Sequence, residues 1–171
     1  MQISLAIGAI IAALIGFFGG RLSRNKDSKE NSAMLLNALF GELLHAFQHY
    51  YLAANELPTS KSTNGNESEI TKRLNWAKYG EFKSSNEFQK YGFLSKNEFK
   101  DLLQLSFLLR NTDYLIEQYL NDINIVSSAD LENLKNRMLS ISNSSKGLLE
   151  FIVSKYPEFD LALKSVEKNN K

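Results

Sequence analysis

Glu42, His45 and His49 are the residues whose types and spacing come nearest to chemistry in this chain. Glu42-x-x-His45 is the metal-ligand spacing of carboxylate-bridged di-iron bundles, and His49 follows one helical turn later. Such a site needs a second copy of the motif and further inward carboxylates. The chain holds only two histidines and no cysteine. Thiolate chemistry is therefore excluded, and nucleophilic or zinc chemistry has little material. At about 100° per residue, both histidines fall opposite the apolar line Phe40–Leu43–Phe47. They are expected at the surface, facing solvent or a partner. A metal-dependent enzyme using Glu42, His45 and His49 is kept as a third reading; no catalytic residue, metal or cofactor is assigned.

Two other groupings carry charge. Arg110, Asp113 and Glu117, extended by Ser106, form a line beside the apolar stripe of a predicted helix. Such a line is expected to be a solvated set of ion pairs, each worth a few tenths of a kcal/mol. The sharper alternative is a polar groove for a ligand or partner. Residues 70–100 mix seven basic residues with three acidic ones, among seven aromatic rings. Within that stretch Lys72, Arg73, Trp76, Lys78, Tyr79, Lys83, Lys90 and Tyr91 are candidates for contact with lipid or a partner. Rings mixed with lysines suit a membrane interface. The plainer expectation is rings in the core and lysines around it.

The strongest positional signal lies at the other end of the chain. Residues 3–20 carry no charge and are nearly all apolar or small. As a helix they extend about 27 Å, enough to cross a hydrocarbon core of about 30 Å. No basic residue stands before the run, and Gly19-Gly20-Arg21 is a poor cleavage signal, so a permanent anchor is expected. Arg21, Arg24, Lys26 and Lys29 follow it, which places the rest of the chain in the cytoplasm by the positive-inside rule. The expected location is a single pass through an inner (plasma) membrane, a signal-anchor form of bacterial or phage type. Ser4, Gly8, Ala12, Gly16 and Gly20 recur every four residues, a small-residue face along which a second helix can pack closely.

The elements follow from periodicity. Residues 1–26 form the transmembrane anchor with its basic flank, and residues 27–171 a single domain of ordinary size. That domain has 17 Lys+Arg against 19 Asp+Glu. Near-neutrality gives no case for nucleic acid. Leu36, Phe40, Leu43, Phe47, Tyr50, Ala54 and Leu57 step by fours and threes and predict a helix from Ser32 to Glu56, ended by Pro58. A shorter helix is predicted over Glu69–Tyr79, with Gly80 as its cap. Residues 78–88 resemble residues 90–99, each with a Ser-x-x-Glu capping box at Ser84/Glu87 and Ser95/Glu98. The second box opens a long helix over Lys96–Asn124, whose broad apolar face predicts a central position. Ser127 or Ser128 caps the next helix, to Lys155, and Pro157 precedes a short one over Glu158–Lys168.

The expected fold is all-α: one N-terminal transmembrane helix, then an antiparallel bundle of three long helices, with the shorter ones completing a fourth column or capping an end. The expected function is a non-enzymatic, membrane-tethered scaffold. It would meet lipid through the span, itself or another membrane protein through the small-residue face, and a cytoplasmic protein through the bundle. An oligomerising effector that perturbs the membrane, of toxin or phage-defence type, is the second reading.

Overall fold

The structure, a computed structural model, describes residues 27–58, 67–79 and 94–169. It is all-helical there: α1 (Asp27–Glu56), α2 (Glu67–Ala77), α3 (Lys96–Asn121), α4 (Ser128–Lys155) and α5 (Asp160–Asn169), with single 3-10 turns at Ile123–Ile125 and Pro157–Phe159. The anchor at residues 3–20, its ladder Ser4, Gly8, Ala12, Gly16 and Gly20, and the first capping box at Ser84 lie outside the described residues. Among those residues no helix is long and apolar enough to cross a membrane.

The ends of the helices have local causes. α1 begins five residues ahead of the predicted Ser32, because nothing between Asp27 and Ser32 breaks a helix. α2 stops at Ala77 rather than Tyr79. The backbone N–H of Tyr79, which a continuing helix would give to Asn75, is donated instead to Asp113 Oδ1 at 3.1 Å. α3 starts with the capping box at Ser95 and Glu98 as predicted. It ends three residues early, because the Asp122 carboxylate accepts the Asn124 N–H at 3.2 Å and turns the chain into a 3-10 segment. α4 opens on Ser127, whose partner in the capping box is Asp130.

The long helices have 30, 26 and 28 residues, about 45, 39 and 42 Å at 1.5 Å per residue. α4 makes the most extensive interface with α1 and a second with α3, while α2 bridges α1 and α3 on the opposite side. α1 and α3 make little direct contact with each other. The four columns therefore run α1–α4–α3–α2 around a square. Ser142 of α4 donates to the Phe47 carbonyl at 2.9 Å, and the Phe40 ring meets Phe159, just past the end of α4, at 4.3 Å. Together these contacts make α1 and α4 antiparallel.

The apolar stripes are buried as predicted: Leu36 to Leu57 along α1, Leu102 to Tyr119 along α3 and Leu131 to Ile152 along α4. The central position expected for α3 is corrected: α4 is the helix shared by both interfaces. α3 leaves Leu103, Phe107 and Tyr114 exposed at 50%, 69% and 61%. Its apolar residues divide between an inner arc and an outer line, and sequence breadth alone cannot separate the two.

Candidate functional site

The densest grouping of polar and aromatic side chains lies where α1, α2 and α3 meet. α1 contributes Glu42, His45, His49 and Tyr50; the end of α2 contributes Trp76, the Ala77 carbonyl, Lys78 and Tyr79; α3 contributes Asp113 and Glu117. α1 presents its four at i, i+3, i+7 and i+8, so all lie on one flank.

Asp113 is the centre. Its carboxylate is buried, with a residue exposure of 9%, and Oδ1 accepts both the Tyr50 hydroxyl at 3.2 Å and the Tyr79 N–H at 3.1 Å. The expectation of a solvated Arg110–Asp113–Glu117 line is corrected here. At about 100° per residue Asp113 stands only about 40° from Leu109, inside the arc that packs against the core. That placement was the available signal: a carboxylate inside an apolar arc needs a donor brought from elsewhere. Glu117, one turn on, pairs with Lys78 at the surface.

Of the two histidines, His45 is exposed as expected, whereas His49 is only half-exposed. The His49 ring packs against Trp76 at 5.1 Å, Tyr50 at 5.3 Å and Tyr79 at 5.5 Å. Its Nε2 lies 3.2 Å from the Ala77 carbonyl. A carbonyl only accepts, so Nε2 carries the proton and His49 caps the C-terminus of α2. His45 keeps an exposed edge, but its ring lies 5.0 Å from Tyr79 and 5.6 Å from His49. Burial holds both histidines below the usual imidazole range. The charge on His49 adds to this for His45, while the Ala77 carbonyl and Asp113 oppose it for His49. Tyr50 and Tyr79 are pushed well above the usual phenol range by burial first, with Asp113 adding to both and Glu42 to Tyr79. Both phenols therefore stay neutral donors; Tyr79 donates to the Glu42 carbonyl at 3.1 Å.

The sequence-predicted contact residues divide. Arg73 pairs with Glu56 and, at 3.9 Å, with Glu69, which ties α2 to the end of α1. Tyr79 is half-buried in the junction; Trp76 and Lys78 are exposed at its edge, where they contact His49 and Glu117, and Lys72 is exposed on α2. Lys83, Lys90 and Tyr91 lie outside the described residues. Among the described residues, no three or more acidic or histidine side chains are gathered closely enough to hold a metal ion. Glu42, His45 and His49 thus form no three-ligand set.

A second feature is an open groove of about 480 Å³ between α3 and α4. Leu105, Leu108, Leu148 and Phe151 line its apolar side, and Glu98, Asp101 and Gln104 its polar side. A Cβ added at Gly147 would meet nothing within 4 Å. Glu98 is already committed to the cap of α3, accepting the Ser95 N–H at 2.9 Å. Among the described residues, Ser144 is the one hydroxyl in its lining, and no histidine lines it.

The junction can hold one neutral, hydrogen-bonded arrangement of rings around a carboxylate. Its hydrogen bonds from Tyr50, Tyr79 and His49 hold the end of α2 against α1 and α3. No protein-family model, no curated protein and no solved structure matches this chain.

Proposed function

We propose that the protein is a non-enzymatic, membrane-anchored interaction module whose helical bundle is held at the cytoplasmic surface and offered to a protein partner. The observation that carries this reading is the join between anchor and bundle. The uncharged run ends at Gly20, and α1, which supplies buried core residues from Leu36 onward, begins at Asp27, after only six intervening residues. A short join of this kind keeps the bundle next to the bilayer and raises the local concentration of anything it binds there, so weak contacts suffice.

The face offered to the partner is the outer line of α3: Leu103, Phe107 and Tyr114 with Arg110 between them. Aromatic residues and arginine are the types enriched at protein interfaces. At the α2 end Arg73, Lys78 and Tyr79 are tied to other helices, and direct lipid contact is assigned to the span and its basic flank.

Native mass spectrometry of the full-length protein, extracted gently from its source membrane, tests the reading. A defined complex, weakened when Leu103, Phe107 and Tyr114 are replaced by serine, is the expected result. A full-length chain recovered in the soluble fraction overturns the anchor, and a lone monomer overturns the interaction.

The Ser4–Gly8–Ala12–Gly16–Gly20 ladder favours the second reading, an oligomerising effector of the membrane. A membrane-potential dye separates the two. Depolarisation on expression, abolished by Gly16→Leu, supports the effector; an unchanged potential leaves the scaffold.

A further inference from the structure

Gly147 is a glycine that the packing of the chain does not require. It lies inside α4, where glycine is less favourable than alanine. A helical glycine often marks the close approach of another backbone, yet a Cβ here would meet nothing within 4 Å. The missing side chain instead leaves an exposed notch in the wall of the groove between α3 and α4.

The groove has the dimensions of a seat for a helix. On α3 its lining runs from Glu98 to Leu108, about 15 Å along the axis, or roughly three turns. It is open along this length, so it covers one face of an occupant without enclosing it. A small molecule needs most of its surface buried, whereas an amphipathic helix needs only its apolar stripe covered. Leu105, Leu108, Leu148 and Phe151 offer the apolar surface for such a stripe.

Charge narrows the occupant further. The ionisable residues of the lining, Glu98 and Asp101, are both acidic. Glu98 is engaged in the cap of its own helix. Asp101 is exposed, and among the described residues no hydrogen bond or ion pair engages it. On the α4 side, Lys155 Nζ lies 4.1 Å from the centre of the Phe151 ring, so the aromatic wall already takes a cation on its face. Both features suit an occupant that carries positive charge beside its apolar stripe.

We propose that this groove is the docking site for a basic amphipathic helix of a protein partner. The apolar stripe of that helix lies on Leu105, Leu108, Leu148 and Phe151, one large side chain enters the notch at Gly147, and a lysine or arginine pairs with Asp101. Asp101 and Leu108 stand at least about 100° around α3 from Leu103, Phe107 and Tyr114. The groove is therefore a second surface, and it stands whether or not the outer line of α3 binds a partner.

The test uses the full-length protein in phosphatidylcholine nanodiscs, with empty nanodiscs as the blank. The probe is a fluorescent peptide of about 14 residues, with leucines at i, i+3, i+4 and i+7 and lysines elsewhere. A second peptide carries glutamate in place of lysine. Fluorescence anisotropy should show binding of the lysine peptide and at least about tenfold weaker binding by Gly147→Leu, which plugs the notch. Asp101→Asn should weaken it about threefold, and added salt should weaken it further. The melting temperature of Gly147→Leu should be no lower than that of the unchanged protein, because the notch has room for the side chain. Ser144→Phe, at another exposed position of the same wall, is the second plug and should act alike. Replacing Leu103, Phe107 and Tyr114 by serine should leave peptide binding unchanged; a loss there would place the peptide on the outer line and overturn the groove. Equal binding by the plugged and unplugged proteins, a preference for the glutamate peptide, or no binding above the blank also overturns it.

Discussion

The α1–α4 seam and the α1–α2–α3 junction hold the same helix by different means. Along the seam, Leu43, Leu134, Met138 and Ile141 are completely buried, and one buried hydrogen bond, Ser142 to the Phe47 carbonyl, crosses it. At the junction, His49, Tyr50, Tyr79 and Asp113 add four directional bonds between elements to the packing of their rings. Apolar burial at about 25 cal/mol per Å² is non-directional and accumulates over the whole length of two helices. The junction depends on a few bonds that are modest when made and costly when half of one is removed. The seam therefore supplies the stability of the fold, and the junction decides where α2 ends.

The sharpest way to break this contrast is to charge the seam. Ile141→Asp puts an unpaired carboxylate at a fully buried position and should cost more than about 4 kcal/mol, enough to unfold the bundle. Circular dichroism should show loss of helix throughout. Asp113→Ala should cost about 2–3 kcal/mol, because it strands the buried Tyr50 hydroxyl and the Tyr79 N–H. Its effect should be local: hydrogen exchange should accelerate over Glu67–Tyr79 and change little in α4. Equal acceleration in both would mean that junction and seam form one cooperative unit.

Near neutral pH the dependence of stability on pH comes from the two histidines of the junction. His45 and His49 have folded pKa values below the ordinary 6.5. Protonation therefore favours the unfolded chain, and their contribution to stability is complete above pH 6.5 and falls as the pH drops below it. The melting temperature should decline between pH 7.5 and 5.5, above the range in which ordinary carboxylates titrate. His45→Phe with His49→Phe should flatten that decline.

Two smaller effects refine the comparison. Within the seam, Gln48 Oε1 and Ser145 Oγ are buried without a hydrogen-bond partner among the described residues. Ser145→Ala should be neutral or stabilising by up to about 1 kcal/mol in a denaturant titration. At the edge of the junction, Arg73→Gln removes a largely exposed ion pair to Glu56 and should change stability by no more than about 0.5 kcal/mol.

The sequence was sufficient wherever one helix's own period carries the information. The buried stripes of α1, α3 and α4 are legible because apolar residues at threes and fours must share a face. The capping box at Ser95 and Glu98 and the start of α4 at Ser127 are legible because the bonds close within four residues. The distribution of burial between columns was not legible. Leu103, Phe107 and Tyr114 look as apolar in sequence as Leu102, Leu105 and Leu109, and only the position of α4 separates the exposed line from the buried one.

The junction shows the same limit at its most complete. Tyr50, Tyr79 and Asp113 are separated by 34 to 63 residues in their bonded pairs, and no local pattern couples them. By itself the sequence determined an all-helical chain, its long helices and the inner face of each. Tertiary structure decided which helix is shared, that Asp113 is buried rather than solvated, and that His49 caps α2. The physical reason is that periodicity reports a residue's angle around its own helix axis, whereas hydrogen-bond pairing and desolvation depend on which other helix arrives at that angle.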